Sequence, residues 1–116
     1  MRLNEMVFTD AVPIDGYGKG FFRVGGQVHE GALLLLPDGG RDWGGFDDIE
    51  GLEKAEIDVL FVGTGAEIAH APPAFREAVE ALGIGVDAMA SPAACRTYNV
   101  LLSEGRRIGA ALLTVE

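Results

Sequence analysis

The second half of the chain alternates continuous apolar runs with amphipathic segments, and this alternation constrains the fold most strongly. Ile57–Val62 and Ile84–Met89 are short and almost wholly apolar, as buried parallel strands tend to be. Between them, Pro73–Leu82 has helical periodicity, and Gly83 ends it. The face predicted to be buried comprises Phe75, Ala78, Val79 and Leu82. A strand, a helix and a strand joined by short connections predict a parallel pair with a right-handed crossover.

A second helix, beginning at Ser91 and ending near Gly105, follows the second strand, and Ile108–Val115 is predicted to close the chain as a strand. Ser91 is expected to cap the helix, Pro92 suits its first turn, and Gly105 suits its exit. Ala94, Cys95, Tyr98, Leu101 and Leu102 share one side and are expected to face a core. Arg96, Asn99 and Ser103 share another side. Thr97 and Asn99 are poor helix formers, and their position mid-helix favours a buried polar network or a site.

The first half is richer in glycine and is predicted to be mainly β. Phe21–Val24 and Gln27–Glu30 form a predicted hairpin across a Gly-Gly pair, and Ala32–Leu36 a buried strand. Arg41–Phe46 is interpreted as a loop and Ile49–Lys54 as a short helix. The 116 residues therefore predict a single α/β domain, spanning residues 1–116, with a β-rich N-terminal half packed against the C-terminal half.

Composition excludes several classes of partner. The net charge of −9 disfavours a nucleic-acid partner and simple adsorption on anionic lipid. No apolar run approaches the roughly 20 residues that span a bilayer, so we expect a soluble protein without membrane insertion. One cysteine cannot form an internal disulfide, and no signal-peptide pattern opens the chain, which together predict a cytoplasmic location.

The best candidate for a ligand site is a crevice at the carboxyl ends of the two parallel strands, where open α/β sheets bind ligands. The N-terminus of the second helix would direct its N–H groups there, which suits an anion. The candidate residues are Gly63, Thr64, Gly65, Ser91, Cys95, Arg96 and Asn99. The alternative is that Gly63 and Gly65 only permit a tight turn, because an isolated Gly-X-Gly is a weak signal.

No catalytic or metal-binding constellation is complete. Cys95 near a helix N-terminus and beside Arg96 suggests a nucleophile, but a small buried hydrophobe is the stronger interpretation. His29, His70 and Cys95 lack metal-ligand spacing, so we predict no metal, no cofactor and no catalytic residue. Tyr17 and Trp43 lie in glycine-rich segments. Two interpretations stay open for them: anchors for a protein partner, or rings that fold back into the core.

Several separated motifs resemble one family of small domains. They are Ile14-Asp15-Gly16-Tyr17-Gly18, the hairpin with Gly25, Leu60-Phe61-Val62-Gly63-Thr64-Gly65, and the long run from Ala94 to Arg107. This family of unknown function has a mitochondrial member that is an assembly factor of respiratory complex I. The resemblance implies a three-layer α/β fold with a central mixed five-stranded sheet, flanking helices and an additional N-terminal β layer.

The resemblance also implies protein partners, including subunits of membrane complexes, and for bacterial members a link to membrane-protein biogenesis. No catalytic residues follow from it. We therefore expect a non-enzymatic assembly or interaction factor. The alternative is a small-molecule-binding protein or enzyme that uses the crevice near Gly63–Gly65 and Ser91–Asn99. A homo-oligomer formed through the edge of the glycine-rich hairpin is a further expectation.

Overall fold

A computed structural model describes the backbone of Glu5–Met6 and residues 12–116. Its strands are β1 (Glu5–Met6), β2 (Ile14–Gly18), β3 (Phe21–Val24), β4 (Gln27–Glu30), β5 (Leu33–Leu36), β6 (Gly39–Asp42), β7 (Val59–Thr64), β8 (Gly85–Met89) and β9 (Ile108–Leu113). Its α-helices are α1 (Pro73–Glu80) and α2 (Ser91–Ser103), and a 3₁₀ turn spans Leu52–Lys54.

The central sheet is mixed, with the order β1-β6-β5-β9-β7-β8. Five strands build it, and the two-residue β1 extends one edge. Strand β7 pairs in parallel with both β8 and β9, whereas β5 joins β9 antiparallel. The second sheet is the antiparallel meander β2-β3-β4. The three-layer architecture with an additional N-terminal β layer is therefore confirmed.

Two apolar clusters lie on opposite faces of the central sheet because β7 and β9 are buried on both sides. On one face, α2 and the meander cover Phe61, Ala110 and Leu112. On the other, α1 and the 3₁₀ turn cover Leu60 and Val62. Alternate residues of β7 thus serve different cores, which explains its continuous apolar sequence.

Helix α2 follows its predicted pattern closely. Ala94, Cys95 and Tyr98 are buried, while Leu101 and Leu102 pack at the margin of the same cluster. Helix α1 ends at Glu80, earlier than the predicted end, so Leu82 lies beyond the helix and is exposed. The prediction that Leu82 belongs to the buried face is therefore wrong.

The segment between β5 and β7 corrects two further predictions. Gly39–Asp42, whose second half is predicted to be loop, pairs with β5 as strand β6. Its two glycines have low strand propensity, but the backbone of β5 supplies the hydrogen bonds that hold the segment extended. The helix expected over Ile49–Lys54 is reduced to the 3₁₀ turn at Leu52–Lys54. Ile14–Gly18, for which no strand is predicted from the sequence, forms β2 with a bulge near Asp15.

Candidate functional site

The carboxyl ends of β7 and β8 meet α2, as the sequence predicts, but Ser91 closes the space between them. Ser91 is fully buried, and its hydroxyl donates to Leu113 O (2.5 Å) and accepts from Gly65 N–H (2.9 Å). Its own N–H donates to Gly65 O at 2.8 Å. Ser91 is thus the first helical residue and ties α2 to two strand ends, whereas Ala90 takes the cap position. The prediction that Ser91 caps the helix is wrong.

Gly63 is required by close packing against that serine. A Cβ built on Gly63 would lie 2.6 Å from Ser91 Oγ and 2.9 Å from Leu112 Cδ2. Gly65 has a φ of 97°, a conformation that favours glycine. Both glycines therefore have structural reasons to be present.

Thr64 organises the loop between β7 and α1. Its hydroxyl accepts from Ala69 N–H at 3.0 Å and lies 2.7 Å from Glu67 O and 3.1 Å from Met89 O. A hydroxyl donates one hydrogen bond, so the two carbonyls share it. Thr64 consequently fixes the loop over the end of β8.

Asn99 joins α2 to the meander. Its Oδ1 accepts from Ile14 N–H at 2.8 Å, and its Nδ2 donates to Ile14 O at 2.9 Å. Its amide therefore matches both backbone groups of one residue in β2. This pairing supplies the polar network that the position of Asn99 mid-helix predicts.

Cys95 faces the apolar cluster, whereas its neighbour Arg96 is exposed. Burial raises the pKa of the Cys95 thiol to about 11, although nearby Arg96 lowers it in part. At neutral pH the sulfur is therefore a thiol, and the thiolate is the nucleophilic form. Burial likewise raises the pKa of Tyr98 to about 12.

Tyr17 and Trp43 have different environments. Trp43 is buried and packs edge-on against Phe46 and Phe75, with centroid distances of 5.3 and 6.0 Å. Its Nε1–H donates to Asp48 O at 3.0 Å. Tyr17, in contrast, is 44% exposed on β2. Of the two, only Tyr17 presents its ring to solvent.

Depressions in the described surface lie outside the strand-end junction, and those on α2 and beside the β5–β6 hairpin carry basic side chains. One, of about 280 Å³, is lined by Arg96, Thr97, Val100 and Leu101 on the outer side of α2. The other, of about 420 Å³, lies between the β5–β6 hairpin and the 3₁₀ turn, where Arg41 and Lys54 contribute to its wall.

Asp48 holds together the loop after β6, a role that the sequence interpretation did not assign to it. Its carboxylate accepts from Arg41 Nη1 and Nη2 at 2.7 and 3.1 Å, and from the N–H groups of Gly44 and Glu50. The hydrogen bond from Arg41, followed by those from the backbone, lowers the pKa of Asp48 to about 2 despite partial burial. Its spacing from Arg41 gives no recognisable sequence signal.

His29 is a fully buried polar side chain whose role the sequence does not indicate. Its Nε2 lies 3.0 Å from Asp42 Oδ1 and 3.2 Å from Ala32 O, both acceptors, so Nε2 carries the hydrogen. Within residues 12–116, His29 Nδ1 has no hydrogen-bond partner. His29 thereby links the meander to the edge of the central sheet.

Metal binding and membrane insertion can be assessed for the described part of the chain. Residues 12–116 contain no cluster of three histidine, cysteine or acidic side chains that could hold a metal ion. In the same part of the chain, neither helix is long and apolar enough to cross a membrane.

The fold and the hydrogen bonds at the strand ends define a class of protein. It is a small three-layer α/β domain in which polar side chains near the carboxyl ends of the central strands connect the layers. The chain belongs to the protein family of unknown function DUF498/DUF598, whose profile matches residues 14–113. It is 50% identical to an uncharacterised protein of Rhodobacter capsulatus over 97% of this chain and 93% of that protein.

Two further relatives have descriptive names. Complex I assembly factor 3 (NADH dehydrogenase [ubiquinone] 1 alpha subcomplex assembly factor 3) of Mus musculus is 34% identical over 97% of this chain, which spans 66% of the mouse protein. The crystal structure of an outer membrane protein from Bartonella henselae superposes with a TM-score of 0.82 at 37% identity. That match covers 94% of this chain and 99% of the Bartonella chain.

Proposed function

We propose that this chain is a non-enzymatic interaction factor that assists the assembly of a membrane-bound protein complex. The observation that carries the proposal is the similarity to complex I assembly factor 3, which extends over 97% of this chain. An assembly factor acts by binding subunits, and a compact domain with a defined outer surface is sufficient for that task.

The geometry of the strand ends supports binding through the outer surface. Ser91, Thr64 and Asn99 use their polar groups to join α2, the loop after β7 and β2. The Cys95 sulfur is buried and protonated. The polar side chains at the strand ends, which are the candidates for binding a ligand there, are thus occupied in holding the layers together.

A pull-down from gently solubilised native membranes and from cytosol, read by quantitative mass spectrometry, tests this function. We expect wild type to enrich subunits of one defined membrane complex, and Tyr17→Ala to reduce that enrichment because the exposed ring is a partner anchor. Leu82→Ala removes another exposed apolar side chain and serves as the matched control. Absence of any enriched membrane-complex subunit with wild type would contradict the proposal.

A small-molecule-binding protein is the second candidate. The observation that favours it is the depression of about 280 Å³ on α2, where Arg96 offers a cation beside Val100 and Leu101. An apolar ligand with one anionic group suits that lining. A ligand screen in which Arg96→Ala abolishes a wild-type hit would favour this candidate over the first.

A further inference from the structure

Strand β8 forms an edge of the central sheet, and half of its backbone groups point away from the sheet. Gly85 N–H donates to Asp58 O at 2.8 Å, so Gly85 faces β7. In a parallel ladder the backbone groups of successive residues point to alternate sides. The N–H and C=O groups of Asp87 and Met89 therefore also point toward β7, while those of Val86 and Ala88 point away from the sheet. Among the described residues, only the Arg76 guanidinium covers these outward groups, donating to Val86 O at 3.3 Å.

A groove of about 300 Å³ runs beside this edge. It is lined by Ile68, Ala69, His70, Arg76, Asp87 and Ala88. Ile68 is 72% exposed and presents an apolar side chain at the rim of the groove. Thr64 fixes the loop that carries Ile68 through its bonds to Ala69 N–H and Glu67 O. The apolar wall of the groove is therefore held in place.

The edges of the meander are less suited to a partner strand. Strand β2 contains a bulge, which interrupts regular pairing. Strand β4 has only four residues and carries the half-exposed Val28. Within the described part of the chain, strand β8 combines outward backbone groups that only Arg76 bonds, a neighbouring groove and the exposed Ile68.

We propose that β8 binds an extended segment of a partner protein as an added strand, with apolar and basic residues alternating along that segment. This inference rests on the proposed function and names the kind of partner surface involved. Backbone hydrogen bonds to Val86 and Ala88 would supply affinity, and the side chains on each face would supply specificity.

The charge of this edge selects the segment. Side chains opposite Val86 and Ala88 would lie on the face of Ile68 and contact the groove, so they are apolar. Side chains opposite Asp87 would lie on the other face, where an exposed carboxylate favours a cation. Glu67, exposed beside Ile68, and the net charge of −9 act in the same direction. Arg76 must swing away from Val86 O when the segment binds.

A second copy of this chain is a poorer occupant of the edge. Antiparallel pairing of two β8 strands centred on Asp87 would place two carboxylates directly opposite each other, which destabilises the pair. Pairing centred on Val86 would place two Arg76 guanidinium groups at the contact. Both arrangements bring like charges together.

NMR titration of the ¹⁵N-labelled chain tests the inference. The probe is a peptide of about seven residues that alternates valine and lysine, long enough to pair along β8. We expect the largest amide shifts at Val86 and Ala88 and slower amide exchange there. A peptide that alternates valine and glutamate should bind about tenfold more weakly or not at all.

Variants separate edge pairing from charge attraction. Ala88→Pro removes an outward N–H while leaving the ladder with β7 intact, so it should abolish binding. Asp87→Lys should reverse the preference from the lysine peptide to the glutamate peptide. This variant tests the inference even if Ala88→Pro does not fold. Glu30→Lys makes the same change of charge on the edge strand β4 and should leave binding unchanged.

Three results would overturn the inference: no peptide binding, shifts away from β8, or equal effects of Asp87→Lys and Glu30→Lys. Concentration-dependent dimers in sedimentation, without peptide binding, would identify a second copy as the occupant and also overturn it. Adding Asp87→Lys to the pull-down distinguishes the two proposals. Capture that this variant leaves intact would overturn the β8 inference and retain the proposed function, whereas no capture by wild type would contradict the function itself.

Discussion

At the residue scale, a few polar side chains determine how the layers of this domain connect. Ser91 and Asn99 each bond backbone groups of segments distant from their own, and Asp48 bonds Arg41 and the backbone of its own loop. Such bonds stabilise modestly when formed, but their loss leaves buried groups unpaired and costs more. These positions therefore contribute more to the fold than their number suggests.

Asp48 gives a prediction with a defined pH dependence. Because the pKa of Asp48 is lowered to about 2 in the folded chain, its contribution is fully present above its ordinary pKa near 4 and is lost as the pH falls toward 2. The side chain is partly exposed, so we discount the full linkage energy and expect about 1–2 kcal/mol. Asp48→Asn should lower the free energy of unfolding by that amount at pH 7, measured by urea denaturation.

Asp47→Asn is the matched control, because it makes the same change of charge at an exposed neighbour. It should alter the free energy of unfolding by less than about 0.5 kcal/mol. The Asp48→Asn and wild-type values should converge near pH 2. Equal losses in both variants would show that the loop responds to net charge and not to the bonds of Asp48.

At the scale of elements, α2 is the member that holds the two sheets together. Its buried face packs on β7 and β9, Ser91 bonds the ends of two strands, and Asn99 bonds β2. The helix thus fixes both the strand ends and the position of the meander. Its polar residues have connecting roles that amphipathicity alone does not require.

Asn99→Leu tests the connection between α2 and β2. The substitution preserves approximate size but leaves Ile14 N–H and Ile14 O without the amide that pairs them. We expect a loss of about 2 kcal/mol in the free energy of unfolding and faster exchange of the Ile14 amide. Denaturation curves and hydrogen exchange measure the two effects.

Ser103→Ala is the control on the same helix, because the Ser103 hydroxyl is exposed and bonds only Val100 O within α2. It should change the free energy of unfolding by less than about 0.5 kcal/mol. An Asn99→Leu variant as stable as Ser103→Ala, with an unchanged Ile14 amide, would contradict the assigned role.

At the scale of the whole molecule, one sheet separates two apolar clusters and belongs to both. Leu60 and Val62 face one cluster while Phe61, between them, faces the other. If β7 separates from its neighbouring strands, both clusters lose buried side chains that β7 contributes. We therefore propose that residues 1–116 unfold as a single domain.

Coincident unfolding curves are the expected result. Trp43 fluorescence reports the cluster beneath α1, and the NMR signals of the Tyr98 ring report the cluster beneath α2. Both should have the same urea midpoint, because a two-state domain loses its cores together. Separate midpoints would show two cooperative units and contradict a single domain.

Local sequence patterns predicted the elements that have strong periodicity or continuous apolar runs. Helix α2, its buried face and the parallel pairing of β7 with β8 follow directly from those patterns. The same patterns failed at β6, where two glycines carry no strand signal, and at Leu82, where the helix ends early. At β6, pairing with β5 and β1 decides the conformation, whereas at Leu82 the chain leaves the helix through a local turn in which Leu82 N–H bonds Val79 O.

The sequence by itself determined the α/β class, the family and the order of most elements, because periodicity and turn residues act over a few neighbouring positions. Only the tertiary structure decided what the polar candidates do. Thr64, Ser91 and Asn99 are brought to hydrogen-bond partners between 3 and 85 positions away, and Gly63 is packed against Ser91. It also buried Trp43 and left Tyr17, Ile68 and the outer side of β8 exposed. Burial depends on which segments meet in space, and no local pattern encodes that meeting.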